Sequence, residues 1–363
     1  MVGLNFVNQL RWHSASNKFM IVAPPKVGYE DIRLAGGSNM IIYSGGINPI
    51  KQWEFDTLEL PKLVSQFGAD VVFAMGNVGL VSPCCPQAIL FHKPHLVYPR
   101  KHFAKERWKL RARNWLLKNR LRKCLKRTQL VLCQTPVSAQ RFHQEFHYPK
   151  KQIKIMPNSV SEFVKTSRDD ALLPEVFKKQ GFFNLFFLTK FYAHKNLEIL
   201  IDVFRRGNNV LRDVRCIVTV AADQHPNAPV FLDSIRRYGL QQYIVNVGPL
   251  KPEELPGYFY NSDALLFPTL LESFSGTYLE AMHFGLPILT SDLDFSRYVC
   301  GDAALYFDPW DPDDIIKNIE LIRSEPARKE DLILKGRERV ARFVKSWNEI
   351  TEDTLRELEA IAN

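Results

Sequence analysis

The feature that most constrains this chain is a repeated alternation of short apolar runs with longer stretches of helical spacing. The runs are Phe19–Val22, Met40–Tyr43, Val71–Met75, Ala88–Phe91, Leu130–Cys133 and Ile153–Met156 in the first half. In the second half they are Leu185–Leu188, Val214–Val220, Ile244–Val247, Ala264–Phe267, Pro287–Leu289 and Ala304–Phe307. Nearly all lack the period-two alternation of a half-exposed strand. That is the mark of strands covered on both faces, so the pattern predicts a βα series, parallel sheets and helices on either side.

Twelve strands exceed one comfortable doubly wound sheet, and 363 residues favour two domains. The polar stretch between Asn158 and Gly181 is the natural break. The sequence therefore predicts an α/β chain with two Rossmann-like, doubly wound parallel-sheet domains facing a central crevice. The expected boundaries are 1–165, 166–345 and a terminal helix, 346–363, packing back on the first domain. Ligands of such sheets bind beyond the carboxyl ends of the strands. The start is unusual: Leu4, Val7 and Leu10, with Gly3 just before, predict a helix almost at once. A Rossmann-like half opens with a strand and a Gly-rich turn, and both are largely absent here. A variant edge and a start that omits an upstream strand remain equally open.

The strongest chemical signal is ALLFPTLLESFSGTYLEAMHFGLPILTSD, Ala264–Asp292. It reads strand, loop, helix, Gly-Leu-Pro, strand, with the helix starting near Ser275-Gly276-Thr277. Gly276 lets backbone approach a ligand, and free N–H groups at a helix start suit a diphosphate. Glu272 lies in the loop before the helix and Glu280 about a turn inside it. A carboxylate accepts well from two vicinal hydroxyls of a ribose or hexose. By spacing alone the pair could equally be two ordinary helix glutamates. The second signal is LFFLTKFYAHKNLEIL, Leu185–Leu200. Lys190 follows a buried strand and Lys195 precedes a helix. Two lysines there can neutralise a diphosphate leaving group without a metal, although solvated surface lysines would give the same string.

At these residues the chain resembles the family 4 retaining glycosyltransferases, which adopt the GT-B fold. The elements that carry the resemblance are T-K-F-Y-A-H-K-N (Thr189–Asn196), E-S-F-S-G-T-Y-L-E-A-M (Glu272–Met282) and G-L-P (Gly285–Pro287). I-M-P-N-S-V at the domain break, V-G-P-L (Val247–Leu250) and C-G-D-A-A-L-Y-F-D-P (Cys300–Pro309) extend it. The resemblance implies that Lys190 and Lys195 hold the donor diphosphate and that Glu280 binds the nucleotide ribose. It implies that Glu272, with the backbone of Phe274, Ser275, Gly276 and Thr277, holds the transferred sugar. Leu250 would lie beside the base, and His92, in ILFHKPH, on the first-domain side of the reaction centre. Glu272, His92 and Lys195 are thus the expected catalytic residues. The implied donor is a UDP- or GDP-sugar acting as co-substrate, with no cofactor and no metal. Lys190 stands where the family has Arg and loses the bidentate fork; Ser275 stands where it has Gly.

Net charge is +9 with a pI near 9.2, which calls for an anionic partner. The charge concentrates in Arg100–Arg127, where Glu106 is the single acidic residue. Trp108, Trp115, Leu117, Leu121, Cys124 and Leu125 recur at helical spacing among Arg107, Lys109, Arg111, Arg113, Lys118, Arg120 and Arg122. A basic amphipathic helix with tryptophans suits an anionic membrane surface; a packed helix with a basic outer face is the alternative. No nucleic-acid motif accompanies the charge, so no nucleic-acid partner is expected. The six cysteines show no zinc spacing and Cys84-Cys85 are adjacent, which favours reduced thiols in a cytoplasmic protein, at the inner face of the membrane if it binds one. Asp292-Leu293-Asp294 and the pair His143/His147 resemble metal motifs, but the first follows a late strand and the second lacks a third ligand. The expected activity is transfer of a hexose to a hydroxyl of a glycan or lipid-linked acceptor in cell-surface polysaccharide or glycolipid synthesis. A sugar-nucleotide epimerase of the same fold is the alternative enzyme, and a binding protein that has lost catalysis the alternative outside enzymes.

Overall fold

The computed structural model describes residues 2–13, 17–25, 27–34, 38–43, 54–104, 108–161, 171–178 and 180–362. The chain forms two compact units. The first comprises Met1–Val97, Trp108–Ser159 and Lys345–Asn363; the second comprises Tyr98–Arg107 and Val160–Val344. The short segment Tyr98–Arg107, flanked on both sides by residues of the first unit, groups with the second.

In the first unit β1 (Met20–Ala23) pairs in parallel with β2 (Asn39–Ile42). A separate parallel sheet has the order β3 (Val72–Ala74), β4 (Gln87–Phe91), β5 (Leu130–Cys133), β6 (Ile153–Ile155). Every expected strand of this half is present, but in two sheets among the described residues. The two short first strands explain the split: β2 leaves Asn39 and Ile42 exposed, so it lacks the two-sided burial of β4 and β5. The helices are α1 (Val2–Leu10), α2 (Leu60–Phe67), α3 (Trp108–Leu125), α4 (Pro136–Phe146) and, from the far end of the chain, α12 (Trp347–Ala362).

The period of two along β4 builds both layers of this core. Ala88 and Leu90 face Phe6, Val7 and Leu10 of α1 and Trp347, Ile350 and Leu358 of α12. Ile89 and Phe91 face Leu121 and Cys124 of α3 and Phe142 of α4. The sequence places Gly3 before the first helix, whereas it lies inside α1, where an added Cβ would collide with the Tyr29 hydroxyl. Thr135 caps α4 by accepting from Ser138 N–H at 3.0 Å, with Pro136 at the first helical position.

The second unit holds one six-stranded parallel sheet in the order β12 (Ala304–Phe307), β11 (Ile288–Ser291), β10 (Ala264–Phe267), β7 (Phe183–Phe187), β8 (Val214–Val218), β9 (Ile244–Asn246). Chain order runs outward from β7 in one direction and, after a return, outward from β10 in the other. This is the doubly wound Rossmann order, and its topological switch point lies between β7 and β10. Those two strands pair Leu185 with Ala264 and Phe186 with Leu265. The covering helices are α5 (Ile199–Arg206), α6 (Ala228–Arg237), α7 (Leu255–Asn261), α8 (Gly276–His283), α9 (Asp294–Cys300), α10 (Pro312–Ser324) and α11 (Pro326–Phe343). Every residue of β8, β10 and β11 is buried, as the unbroken apolar runs predict.

Candidate active site

Because all six strands of the second unit are parallel, their carboxyl ends share one edge of the sheet. Lys190 leaves β7, Leu250 follows β9 and Glu272 follows β10 at that edge. The first and last of these flank the switch point, where the two halves of the sheet diverge and leave room for a ligand.

The loop after β7 is built tightly. Thr189 N–H donates to Thr219 Oγ1 at 3.0 Å, and that hydroxyl donates back to the Thr189 carbonyl at 2.8 Å. Phe191 N–H donates to Gln224 Oε1 at 2.9 Å. Lys190, between these anchored residues, is exposed. A single 3-10 turn, Ala193–Lys195, then presents Lys195. Asn196 closes it in the left-handed region at φ 59°, which explains an Asn here where the related motif allows Gly or Asn. Its side-chain amide donates to the Pro309 carbonyl at 2.7 Å.

The loop after β10 meets this turn. Leu270 N–H donates to the His194 carbonyl at 2.7 Å. Glu272 and Lys195 form an ion pair through Glu272 Oε1, with only 13% and 15% of their side chains exposed. Thr269 Oγ1 donates to the same carboxylate oxygen at 3.0 Å, and the Lys195 ammonium also lies 4.7 Å from the centre of the Phe267 ring. Glu272 Oε1 is thus held by two donors; Oε2 has no hydrogen-bond partner among the described residues. Thr269 and Asn196 are among the residues around this pair whose roles the sequence alone does not assign. The αL demand on Asn196 was the available signal; Thr269 offered none.

Helix α8 begins at Gly276, with Ser275 as its N-cap in extended conformation and making no side-chain cap bond. The first backbone N–H groups of the helix are therefore not satisfied by that side chain. Tyr278 fastens α8 to the sheet: its hydroxyl pairs with Thr290 Oγ1 at 2.7 Å, which donates to the Phe267 carbonyl at 3.0 Å. Phe274 and Thr277 are half-buried at the helix start. Glu280 sits on α8 and is also only partly exposed. Burial alone pushes its carboxyl up to about 7 from an ordinary 4.5. Beyond β9, Gly248 takes φ 77°, and Asn246 Oδ1 accepts from the N–H of Val220 at 2.9 Å and of Gly248 at 3.3 Å, fixing the turn that carries Leu250.

In the first unit His92 stands at the carboxyl end of β4. Its N–H donates to Asn77 Oδ1 at 2.7 Å and its Nε2 lies 3.2 Å from Asn77 Nδ2. The amide nitrogen can only donate, so Nε2 accepts and the proton sits on Nδ1. Burial, reinforced by the Lys93 charge, holds the ring down to about 4, so it is neutral at pH 7.

The two metal-like motifs have other partners. Asp292 makes a bidentate pair with Arg297 at 2.7 and 2.8 Å. Asp294 Oδ1 accepts from the Tyr98 hydroxyl at 3.0 Å, and His143 Nδ1 bonds the Tyr148 carbonyl at 2.7 Å.

The sequence profile of the glycosyl transferases group 1 family matches residues 170–339, nearly the whole second unit. Over these residues the chain is similar to this family of transferases. The O-antigen chain mannosyltransferase B of Escherichia coli is 28% identical over 121 residues, which cover 33% of this chain and 31% of that protein. The aligned stretch thus spans about a third of this curated relative. The structure of Anabaena HepE in complex with UDP and glucose superposes with a TM-score of 0.72 at 15% identity, covering 99% of this chain and 96% of that one. WaaG, a glycosyltransferase involved in lipopolysaccharide biosynthesis, gives 0.72 at 13% identity over 98% and 95%. At these identities the likeness shows the fold, which is GT-B, and it extends over both units.

The basic helix α3 parts the apolar residues that its spacing groups together. Asn114, Leu121 and Cys124 are buried, whereas Trp108, Trp115 and Leu116 are 65%, 64% and 62% exposed. The tryptophans therefore belong to the outer face and not to the seam that packs. Three cations of this segment are engaged: Lys118 and Arg122 with Glu145, and Arg120 with Asp56. Lys109 and Arg113 are exposed, Arg111 is half-buried, and Arg107 lies outside the described residues. No helix among the described residues is long and apolar enough to cross a membrane.

Proposed function

We propose that this chain is a retaining, metal-independent hexosyltransferase that moves a sugar from a UDP- or GDP-sugar to a hydroxyl of a glycan or lipid-linked acceptor. The observation that carries this reading is the Lys195–Glu272 pair at the switch point of the six-stranded sheet, with Glu272 four residues before the start of α8, which the Ser275 side chain does not cap, and Glu280 one turn in. Lys190, Lys195 and the α8 amides supply positive potential for a diphosphate. Glu272 Oε2 and Glu280 supply acceptors for sugar and ribose hydroxyls. Glu272 is engaged by a cation and a hydroxyl, which suits a fixed acceptor better than a base that must gain a proton.

A role in cell-surface polysaccharide or glycolipid synthesis is supported by the O-antigen mannosyltransferase and WaaG likenesses. The six cysteines are all free thiols, which supports a reducing, cytoplasmic setting. The exposed Trp108, Trp115 and Leu116 beside Lys109 and Arg113 support docking on an anionic membrane face. The deciding experiment is incubation with a panel of UDP- and GDP-hexoses while nucleoside diphosphate release is followed. Slow hydrolysis of one donor is expected. Conversion of the sugar without release would establish the epimerase instead, and binding without either would leave a binding protein.

A further inference from the structure

The segment Tyr98–Phe103 lies far in sequence from both donor-site loops, yet it packs on them. His102 is 5% exposed, and its Nδ1 lies 2.9 Å from the Leu270 carbonyl. A carbonyl only accepts, so Nδ1 carries the proton and donates. Leu270 is two residues before Glu272, and its own N–H holds the His194 carbonyl, next to Lys195. The imidazole is wedged edge-on against Trp310 at 5.9 Å and Tyr98 at 5.6 Å. Trp310 follows Pro309, whose carbonyl accepts from Asn196, the residue after Lys195. A closed circuit results: His102, Leu270, His194 to Asn196, the Pro309–Trp310 turn, and back to His102. The Lys195–Glu272 pair is framed by it. The segment is anchored at its start by the Tyr98 hydroxyl on Asp294 and closed by His102 N–H on the Pro99 carbonyl at 3.2 Å.

We infer that Tyr98–Phe103 is a strap that sets the position of the Glu272 carboxylate, with His102 as its positioning residue. This rests on the reading of Glu272 as the acceptor for hydroxyls of the transferred sugar. The strap holds the Leu270 carbonyl while the His194 carbonyl holds its N–H, so the loop that reaches Glu272 is pinned on both sides of Leu270 where Oε1 meets Lys195 and Thr269. Without the imidazole donor the Leu270 carbonyl is buried and unpaired, and the loop must shift to recover a partner. The consequence falls on the sugar end of the donor and not on the diphosphate, which the lysines and the α8 amides hold.

The test measures affinity of the full chain for UDP and GDP and for the matching UDP- and GDP-hexoses, in His102→Phe, His102→Asn and His102→Gln. Phe keeps the ring packing and removes the donor. The Asn amide nitrogen reaches the position of Nδ1, whereas that of Gln reaches the position of Nε2. Loss of one hydrogen bond predicts about fivefold weaker hexose-nucleotide binding in His102→Phe, with free nucleoside diphosphate affinity unchanged. His102→Asn should restore the wild-type ratio and His102→Gln should not. If His102→Phe does not fold, the Asn and Gln pair decides alone. Equal weakening of both ligands, or no change in either, overturns the inference. Wild-type protein that binds neither nucleoside diphosphates nor their sugars overturns the reading of the site itself, and the inference with it. Wild-type preference for the hexose nucleotide that Glu272→Ala leaves intact overturns the sugar role of Glu272 and so removes what the strap would position.

Discussion

Replacing Glu280 by Gln should stabilise the protein and cripple donor binding at the same time. The carboxyl rises from 4.5 to about 7 because α8 and its surroundings remove water from it and no cation offsets the loss. Each tenfold change in acidity corresponds to about 1.4 kcal/mol, so ionised Glu280 costs the folded chain up to about 3 kcal/mol above pH 7. The sign follows from proton counting. Between about pH 4.5 and 7 the native state holds a proton that the unfolded chain has released, so stability falls as pH rises through this window. Glu280→Gln keeps the shape and cannot ionise. Denaturant unfolding at about pH 8 should therefore show the variant more stable by 1 to about 3 kcal/mol, and at about pH 4 the two proteins should coincide. A difference of the same size at both values would refute the reasoning, because it would trace to packing and not to an ionisable group.

The same carboxyl makes a binding prediction of opposite sign. Only the ionised form offers both oxygens to vicinal ribose hydroxyls. Nucleotide binding should thus strengthen as pH rises through about 7, and at about pH 6 it should release a proton. Calorimetry in buffers of different ionisation enthalpy reads that proton directly; its absence in the wild type, or its persistence in Glu280→Gln, would remove Glu280 from the ribose.

Other outcomes are equally concrete. Lys195→Ala should lower kcat/KM by about 3 kcal/mol, the loss of one buried charged donor to a developing anion, and a loss under 1 kcal/mol would exclude it from the leaving-group site. Glu272→Ala should slow transfer while leaving nucleoside diphosphate affinity near wild type; equal losses in both would place it on the nucleotide. Lys190→Arg should retain activity, because the side chain is exposed and its position is set by backbone anchors at Thr189 and Phe191; abolished turnover would show that the lysine has a role Arg cannot fill. Trp115→Ala with Leu116→Ala should reduce sedimentation with phosphatidylserine vesicles without lowering the melting temperature, and unchanged sedimentation would leave α3 a solvated basic helix.

The doubly wound second unit was legible in the sequence because its strands are short, unbroken and covered on both sides, so each apolar run has a single structural meaning. Ala264–Phe267 and Ala304–Phe307 begin and end where the sequence places them. The first two strands were legible as strands but not as a separate pair, since their half-exposed faces cannot be told from a buried edge by residue type. In α3 the spacing gave a helix but grouped Trp108 and Trp115 with Leu121 and Cys124, which the fold separates. Tryptophan is as apolar as leucine in such counting, yet the small residues Asn114 and Cys124 pack here while Trp108 and Trp115 do not. At the loops after β7 and β10, Glu272 and Lys195 could be singled out by residue type and order along the chain, and the fold brings the two together as an ion pair. The strap was not legible, because His102 acts on a backbone carbonyl, and any residue at position 270 supplies one.

The arrangement also bears on where the proton of an attacking hydroxyl goes. His92 is held neutral, but its Nε2 already accepts from Asn77, so the ring has no second lone pair with which to take a proton. Glu272 Oε1 is engaged by Lys195 and Thr269, and protonation at Oε2 would weaken that ion pair, whose side chains are only 15% and 13% exposed. Glu280 could hold a proton near pH 7, but on the proposed reading it must ionise to bind the ribose and is committed before the sugar reacts. On the proposed reading, the departing diphosphate is then the base that remains. Lys190 and Lys195 would make it a better leaving group by stabilising its charge, and a weaker base by the same amount. That opposition is resolved if the proton moves late, after the glycosidic bond has largely broken and the diphosphate carries its full charge.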